Sequence, residues 1–267
     1  MALHNAKSNG KNLFQFYQEE TQVLGKRELS LKSSILHEEF LNNLDLEYLP
    51  YFNTLTNEAV CIQAIPWLNH AEFGRIHFSE FARITANSGK ITALYEWMVR
   101  NAVIYFKNLQ SQPSSPKQLL LTFTLKQVEV PYFISRLSDL VKELQVDPQQ
   151  LIFEIADDIE STNTEVLKHS LAILNQSGIQ IAIGILLLGH FALQKITNLP
   201  INYLKIDNKL IKDIHTHLES KSILERILMI ANSMEIGVLT EGVEKEEQKK
   251  LLQSLGCFVM QGAVFKS

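Results

Sequence analysis

The stretch Gly178–Asp207, GIQIAIGILLLGHFALQKITNLPINYLKID, decides how the chain folds. A glycine ends one helix, and the apolar run IQIAIGI follows as a strand. HFALQKITNLP then reads as a short helix stopped near Pro200, and YLKID as the next strand. Strand, helix and strand in this order make one parallel β-α-β unit. The apolar run continues through Gly184, Ile185, Leu186, Leu187 and Leu188. A soluble protein ordinarily places polar side chains where such a strand ends.

The same rhythm extends in both directions. Upstream, KQLLLTFTL and QLIFEIAD are strands on either side of a helix, PYFISRLSDLVKEL. Phe133, Leu137, Leu140, Val141 and Leu144 fall on one face of that helix. TNTEVLKHSLAILNQSG is a helix closed by Gly178. Downstream, DIHTHLESKSILERILMIANSMEIG is a helix closed by glycine, VLTEG a strand, KEEQKKLLQSLG a helix and CFVMQGAVF a last strand. Nearer the start, LKSSILHEEFLNNL is helical. LEYLPYF and AVCIQAIPW are strands joined by a turn at Thr56-Asn57, and two helices, FSEFARITANSG and ITALYEWMVRNAVIYFKNLQ, follow. About eight strands in this pattern predict an α/β fold, a (β/α)8 TIM-type barrel. An open doubly wound sheet ranks second, because no glycine-rich phosphate loop follows any strand.

Composition narrows the classes. The chain has 267 residues, 46% of them apolar, and a net charge of −4. That suits one large domain with a full core and argues against a nucleic-acid-binding surface. No apolar run approaches the ~18–20 residues of a membrane span. The polar opening MALHNAKSNGKN lacks the apolar centre of a signal peptide. A cytoplasmic location is expected. Cys61 and Cys257 stand in apolar, strand-like contexts and are expected as reduced core thiols, not as a zinc site.

In a barrel of this kind, chemistry sits at the carboxyl ends of the strands. There this sequence carries Glu154 in LIFEIAD, Lys205 and Asp207 in YLKID, Glu241 and Glu244 in EGVE, and Gln261 in FVMQG. A carboxylate among apolar neighbours is costly unless paired, hydrated or bound to a cation. Strand after strand, these residues predict one shared polar mouth.

At these residues the sequence resembles the EAL domain family, barrel phosphodiesterases that hydrolyse cyclic di-GMP. The resemblance runs from about Leu44 to Lys266. It is strongest over Gly178–Asp207 and over LTEGVEKEEQKKLLQSLGCFVMQGAVF. It implies two divalent metals held by carboxylates and an asparagine, which activate water and clamp the phosphodiester. Glu154, Lys205, Glu241, Glu244 and Gln261 match the family's functional glutamates, lysine and glutamine. Other positions depart from the pattern. The motif that names the family is IQAIPW here: Trp67 is kept, its glutamate falls on Ile62 or, with a gap, on Gln63, and its arginine becomes Pro66. The asparagine ligand corresponds to Thr122, the paired aspartates to Gly184 and Ile185, and a ligand-contacting glutamine to Leu49.

The resemblance therefore implies a degenerate EAL domain, an enzyme fold with most metal ligands missing and no cofactor expected. Lys205, Glu241 and Gln261 remain as candidate ligand-binding residues, in a Lys-Glu network with water. Cyclic di-GMP binding is expected to be weak or absent. The alternative is a weak Mg²⁺- or Mn²⁺-dependent phosphodiesterase that holds its metal with Glu154, Asp157 and Glu241. Leu186, Leu187 and Leu188 either plug the mouth or form a patch for a protein partner. The helix ITALYEWMVRNAVIYF offers a possible homodimer face. His215 and His217 sit two apart near a helix start and point different ways, so they are not read as metal ligands. NAKSNGKNLFQFYQEE resembles the closing segment of a GGDEF domain. Residues 1–27 are thus expected to be the tail of such a domain and a linker, 28–267 the barrel, and the chain the C-terminal part of a longer protein. The upstream GGDEF-like domain or another protein is the expected partner.

Overall fold

A computed structural model describes residues 19–128, 130–156, 164–185 and 198–265. Its described residues fall into two compact units. One comprises the residues up to Asp45 together with Pro66–Leu94; the other comprises Leu46–Ile65 and the residues from Tyr95 onward.

The sheet contains β1 (Leu44–Asn53), β2 (Glu58–His70), β3 (Gly74–His77), β4 (Gln118–Phe123), β5 (Leu151–Ile155), β6 (Gln180–Ile185), β7 (Tyr203–Ile206), β8 (Gly237–Thr240) and β9 (Val259–Met260). The order is β1-β9-β8-β7-β6-β5-β4-β2-β3, and β1 also pairs with β2. Eight strands therefore close into a barrel, with β3 outside the ring. The ladders from β2 and β4 through β9 are parallel, whereas β1 runs antiparallel to β9. A hairpin at Thr54–Asn57 explains that reversal, and Asn57 takes the left-handed conformation there, with φ 57°. β3 was not foreseen, because GRIH is too short to show an alternating pattern.

The barrel interior follows the two-residue period of a strand. Tyr51, Cys61, Leu120, Ile152, Ala182 and Leu239 form a buried cluster, with Tyr203 and Val259 packed against it. The intervening residues Leu121, Phe153, Ile183 and Leu204 point the other way and are equally buried. Both faces of each strand are covered, which is why these strands read as continuous apolar runs. Outer helices supply the cover. In Ile91–Leu109, Tyr95, Met98, Val99, Ala102, Val103 and Phe106 are fully buried, so its apolar face serves the barrel. Ile104 and Tyr105 remain outside that face, and Tyr105 stacks on Tyr48 at 3.7 Å.

Helix ends depart from expectation in two places. The helix expected from Asp213 begins only at Leu218 and ends at Ser233. It is closed by Glu235 in the left-handed conformation (φ 57°), while the expected glycine, Gly237, already belongs to β8. Ile236 donates to the Ala231 carbonyl and Glu235 to that of Asn232, which satisfies the helix end without glycine. In the smaller unit, the helix Glu19–Leu36 stops before a separate 3-10 helix, Glu38–Asn43. His37 lies between them, and its Nδ1 accepts the Glu39 N–H. Phe40 and Phe81 pack edge to face in this unit, and Arg27 pairs with Glu80 at 2.6 Å.

Candidate functional site in the barrel mouth

Each inward polar residue stands two positions beyond a residue of the apolar cluster. Gln63 follows Cys61, Thr122 follows Leu120, Glu154 follows Ile152, Lys205 follows Tyr203 and Glu241 follows Leu239. The strand period thus places them one layer nearer the carboxyl ends. The ladder sets Thr122 beside Glu154 and Gly184 beside Lys205.

Lys205 is the centre of the mouth. Its Nζ lies 3.0 Å from each carboxylate oxygen of Glu154 and 2.7 Å from Oε2 of Glu241. Thr122 Oγ1 donates to Glu154 Oε2 at 2.8 Å. Gln63 Nε2 donates to Thr122 Oγ1 at 3.2 Å and lies 3.5 Å from Glu154 Oε2. The Tyr51 hydroxyl donates to Gln63 Oε1 at 3.2 Å. Six side chains from six strands or strand ends make one connected network. The side chains of Lys205 and Glu154 are only 6% and 3% exposed, against 23% for Glu241.

Burial disfavours charge here, and the pairs answer it. Burial by itself would lower the Lys205 pKa, but Glu154 and then Glu241 overcome it and hold the ammonium well above the ordinary lysine value. Burial pushes the Glu241 carboxyl above the usual carboxylate range; Lys205 pulls it back, and Glu154 adds to the rise. Burial likewise raises the Tyr51 hydroxyl, so Tyr51 is a neutral donor. The Cys61 thiol is pushed up to about 12 and the Cys257 thiol to about 11 by burial, and both cysteines are free and buried, as expected.

The geometry settles which residue of IQAIPW faces the mouth. Gln63 points inward, and Ile62, one step away on the strand, points outward into the covering layer. Gly184 faces Glu154: a Cβ at this position would lie 3.2 Å from Glu154 Oε1. Glu241 joins the network as expected, but Glu244 does not. Glu244 is exposed, and its backbone N–H is held by Gln248 Oε1 at 2.8 Å as the chain enters the helix Glu246–Ser254. Asp207 also turns to a structural task, accepting the Lys209 N–H at 2.8 Å as the cap of the helical turn Asn208–Ile211. Gln261 Oε1 lies 3.4 Å from the Gly242 N–H, at the loop after β8. Pro66 is buried within β2, past Ala64, where the ladder to β4 ends. Leu49 lies on the same side of β1 as Tyr51.

Tyr51 is the member of the network that the sequence did not single out. The available signal was its place two residues beyond Leu49, on the same side of the strand. Asp157 and Leu186–Leu188 lie outside the described residues, as does the side chain of Ile185. Among the described residues, no three of histidine, cysteine, aspartate and glutamate converge as metal ligands. His217 is exposed with its Nδ1 3.0 Å from Thr216 Oγ1, and the Nδ1 of His215 is buried without a partner among the described residues.

Known proteins share this arrangement of strands and sequence. The EAL domain family model matches residues 34–267. The chain belongs to the EAL domain family. It is 27% identical over 270 residues to the signaling protein YkoW of Bacillus subtilis, covering 99% of this chain and 33% of that protein. It is 22% identical over 265 residues to the cyclic di-GMP phosphodiesterase NbdA of Pseudomonas aeruginosa, covering 99% of this chain and 34% of that protein. The chain thus spans about a third of the length of these curated relatives. Among solved structures, the PaMucR phosphodiesterase in its c-di-GMP complex superposes with a TM-score of 0.79 at 21% identity, over 87% of this chain and 96% of that one. The EAL domain of FimX from Pseudomonas aeruginosa, bound to c-di-GMP, gives 0.73 at 17% identity, over 86% of this chain and 93% of that one. Both likenesses establish the barrel. Among the described residues, no helix is long and apolar enough to cross a membrane.

Proposed function

We propose that this EAL domain does not hydrolyse cyclic di-GMP and acts as a regulatory or scaffold module in cyclic di-GMP signalling. One observation carries the proposal: the groups beside the inward carboxylate of Glu154 are the neutral side chains of Gln63 and Thr122 and the bare Gly184, and none of them adds an anionic oxygen. The family's two-metal chemistry requires several anionic oxygens with free lone pairs around closely spaced hard cations. Here Gln63 and Thr122 are neutral and occupied with each other and with Glu154, and Gly184 has no side chain. That donor set does not fit a metal pair, and Gly184 and Ile185, where the family pattern has paired aspartates, supply no carboxylate.

Nucleotide sensing is the weaker part of the reading. Pro66 offers neither charge nor backbone donor where the family pattern has an arginine, so a bound phosphate would lose a partner worth on the order of a few kcal/mol. The domain works instead through protein contacts, with an upstream GGDEF-like domain as the first candidate. Purified protein incubated with Mn²⁺ or Mg²⁺ and cyclic di-GMP, followed by chromatography, is expected to yield no linear dinucleotide. Product formed at an ordinary turnover rate would overturn the proposal. Calorimetry with cyclic di-GMP separates scaffold from sensor: the scaffold reading expects no heat of binding at high micromolar nucleotide.

A further inference from the structure

We propose that His70 is a proton-operated latch: its neutral ring holds the N-terminal half of the helix Glu19–Leu36 on the turn between β2 and β3, and its protonated ring releases it. The proposal concerns the smaller unit and stands whether or not the barrel cuts nucleotide. His70 ends β2 and is buried. Its Nδ1 accepts two backbone N–H groups of the turn, from Glu72 at 3.1 Å and from Phe73 at 3.2 Å. A nitrogen that receives two N–H donors carries no proton, so the turn is built on the neutral ring with its hydrogen on Nε2. The imidazole also stacks on Phe73, with ring centroids 4.7 Å apart and planes within 16°. The same two residues of the turn reach the helix. The Arg27 guanidinium lies over the Phe73 ring at 4.7 Å, and Ser30 Oγ donates to Glu72 Oε2 at 3.3 Å. Histidine gains its proton within roughly pH 5–8. A proton on Nδ1 would point at two N–H donors and leave both without an acceptor. It would also set a second cation on the ring that Arg27 already occupies. The charged groups that the neighbouring elements bring up are Arg27, Glu72, Arg75 from β3 and Glu80 from the helix Phe78–Asn87. Arg27 is paired with Glu80 at 2.6 Å and Arg75 with Asp45 at 3.6 Å. That leaves Glu72, two residues away, as the carboxylate that can balance a charged ring.

Leu31 and Ile35 are buried and keep the C-terminal half of the helix in place by packing. Release is therefore local, and hydrogen exchange read segment by segment tests it. With rates corrected for the intrinsic effect of pH, protection at residues 26–30 is expected to fall at least about tenfold between about pH 8 and about pH 5.5, while residues 31–35 keep theirs. His70→Asn puts an amide oxygen that does not titrate where Nδ1 stood, and such oxygens accept backbone N–H groups two residues on. In that variant, protection at residues 26–30 is expected to be the same at both pH values. Nitrogen NMR of the wild type needs no variant. At about pH 8, Nδ1 is expected to be the unprotonated nitrogen, and the ring's titration to share its midpoint with the change in exchange. Protection that ignores pH in the wild type, or that falls equally in His70→Asn, overturns the latch. So does an Nδ1 that carries the proton at the higher pH. Protection lost across the whole unit at the lower pH would be general acid unfolding and overturns it as well.

Discussion

At the scale of single residues, the mouth is governed by one buried cation and its acceptors. Thr122 is only a hydroxyl, but it supplies the shortest neutral hydrogen bond to Glu154. Thr122→Val keeps the shape and removes the donor, so urea unfolding should show a loss of about 1–3 kcal/mol. Lys205 has a folded-state pKa raised above its ordinary value. Its contribution is therefore complete below the ordinary lysine pKa and is lost as pH rises through the higher folded value. Stability measured by denaturant titration should fall above about pH 10.5, beyond what exposed lysines account for, and Lys205→Met should remove that extra fall. Glu241 follows the same direction, the reverse of an ordinary ion-paired carboxylate. Its raised pKa means that its favourable contribution is present below the ordinary carboxylate value and declines as pH rises through the folded one. The stability of wild type relative to Glu241→Gln should thus improve as pH falls from 7 toward 4.5.

At the scale of elements, the loop after β8 positions Glu241, and a single glutamine pins that loop. Gln248 Oε1 accepts the backbone N–H groups of Glu244 and Lys245, at 2.8 and 2.9 Å. Its Nε2 donates to the carbonyls of Ile211 and Lys212, at 3.1 and 3.0 Å. Gln248 is 1% exposed, so Gln248→Ala would leave four backbone groups short of a partner. A destabilisation of roughly 3 kcal/mol is expected, together with faster amide exchange at Glu244 and Lys245. Gly242 marks the same close approach. It has φ 74°, and a Cβ there would collide with Asn208. Sequence reading found these elements readily, since their apolar periods and capping glycines are local signals. It misplaced the start of the helix Leu218–Ser233 because DIHTH carries enough helical character to extend the pattern, while the chain there forms turns.

At the scale of the whole molecule, barrel closure converts separate strand ends into one site. It also seals both cysteines: a thiol reagent should leave Cys61 and Cys257 unmodified in native protein and label both after denaturation. Rapid labelling without denaturant would contradict the buried positions assigned to them. The sequence by itself determined the α/β barrel, the family resemblance and the set of polar residues at the strand ends, because alternating helices and strands and motif spacing are written along the chain. Only the tertiary structure decided between Ile62 and Gln63, brought in Tyr51, left Glu244 outside and placed one ammonium between Glu154 and Glu241. Those outcomes depend on strand register and on distances between strands far apart in sequence, and neither is encoded in the local pattern of any one strand.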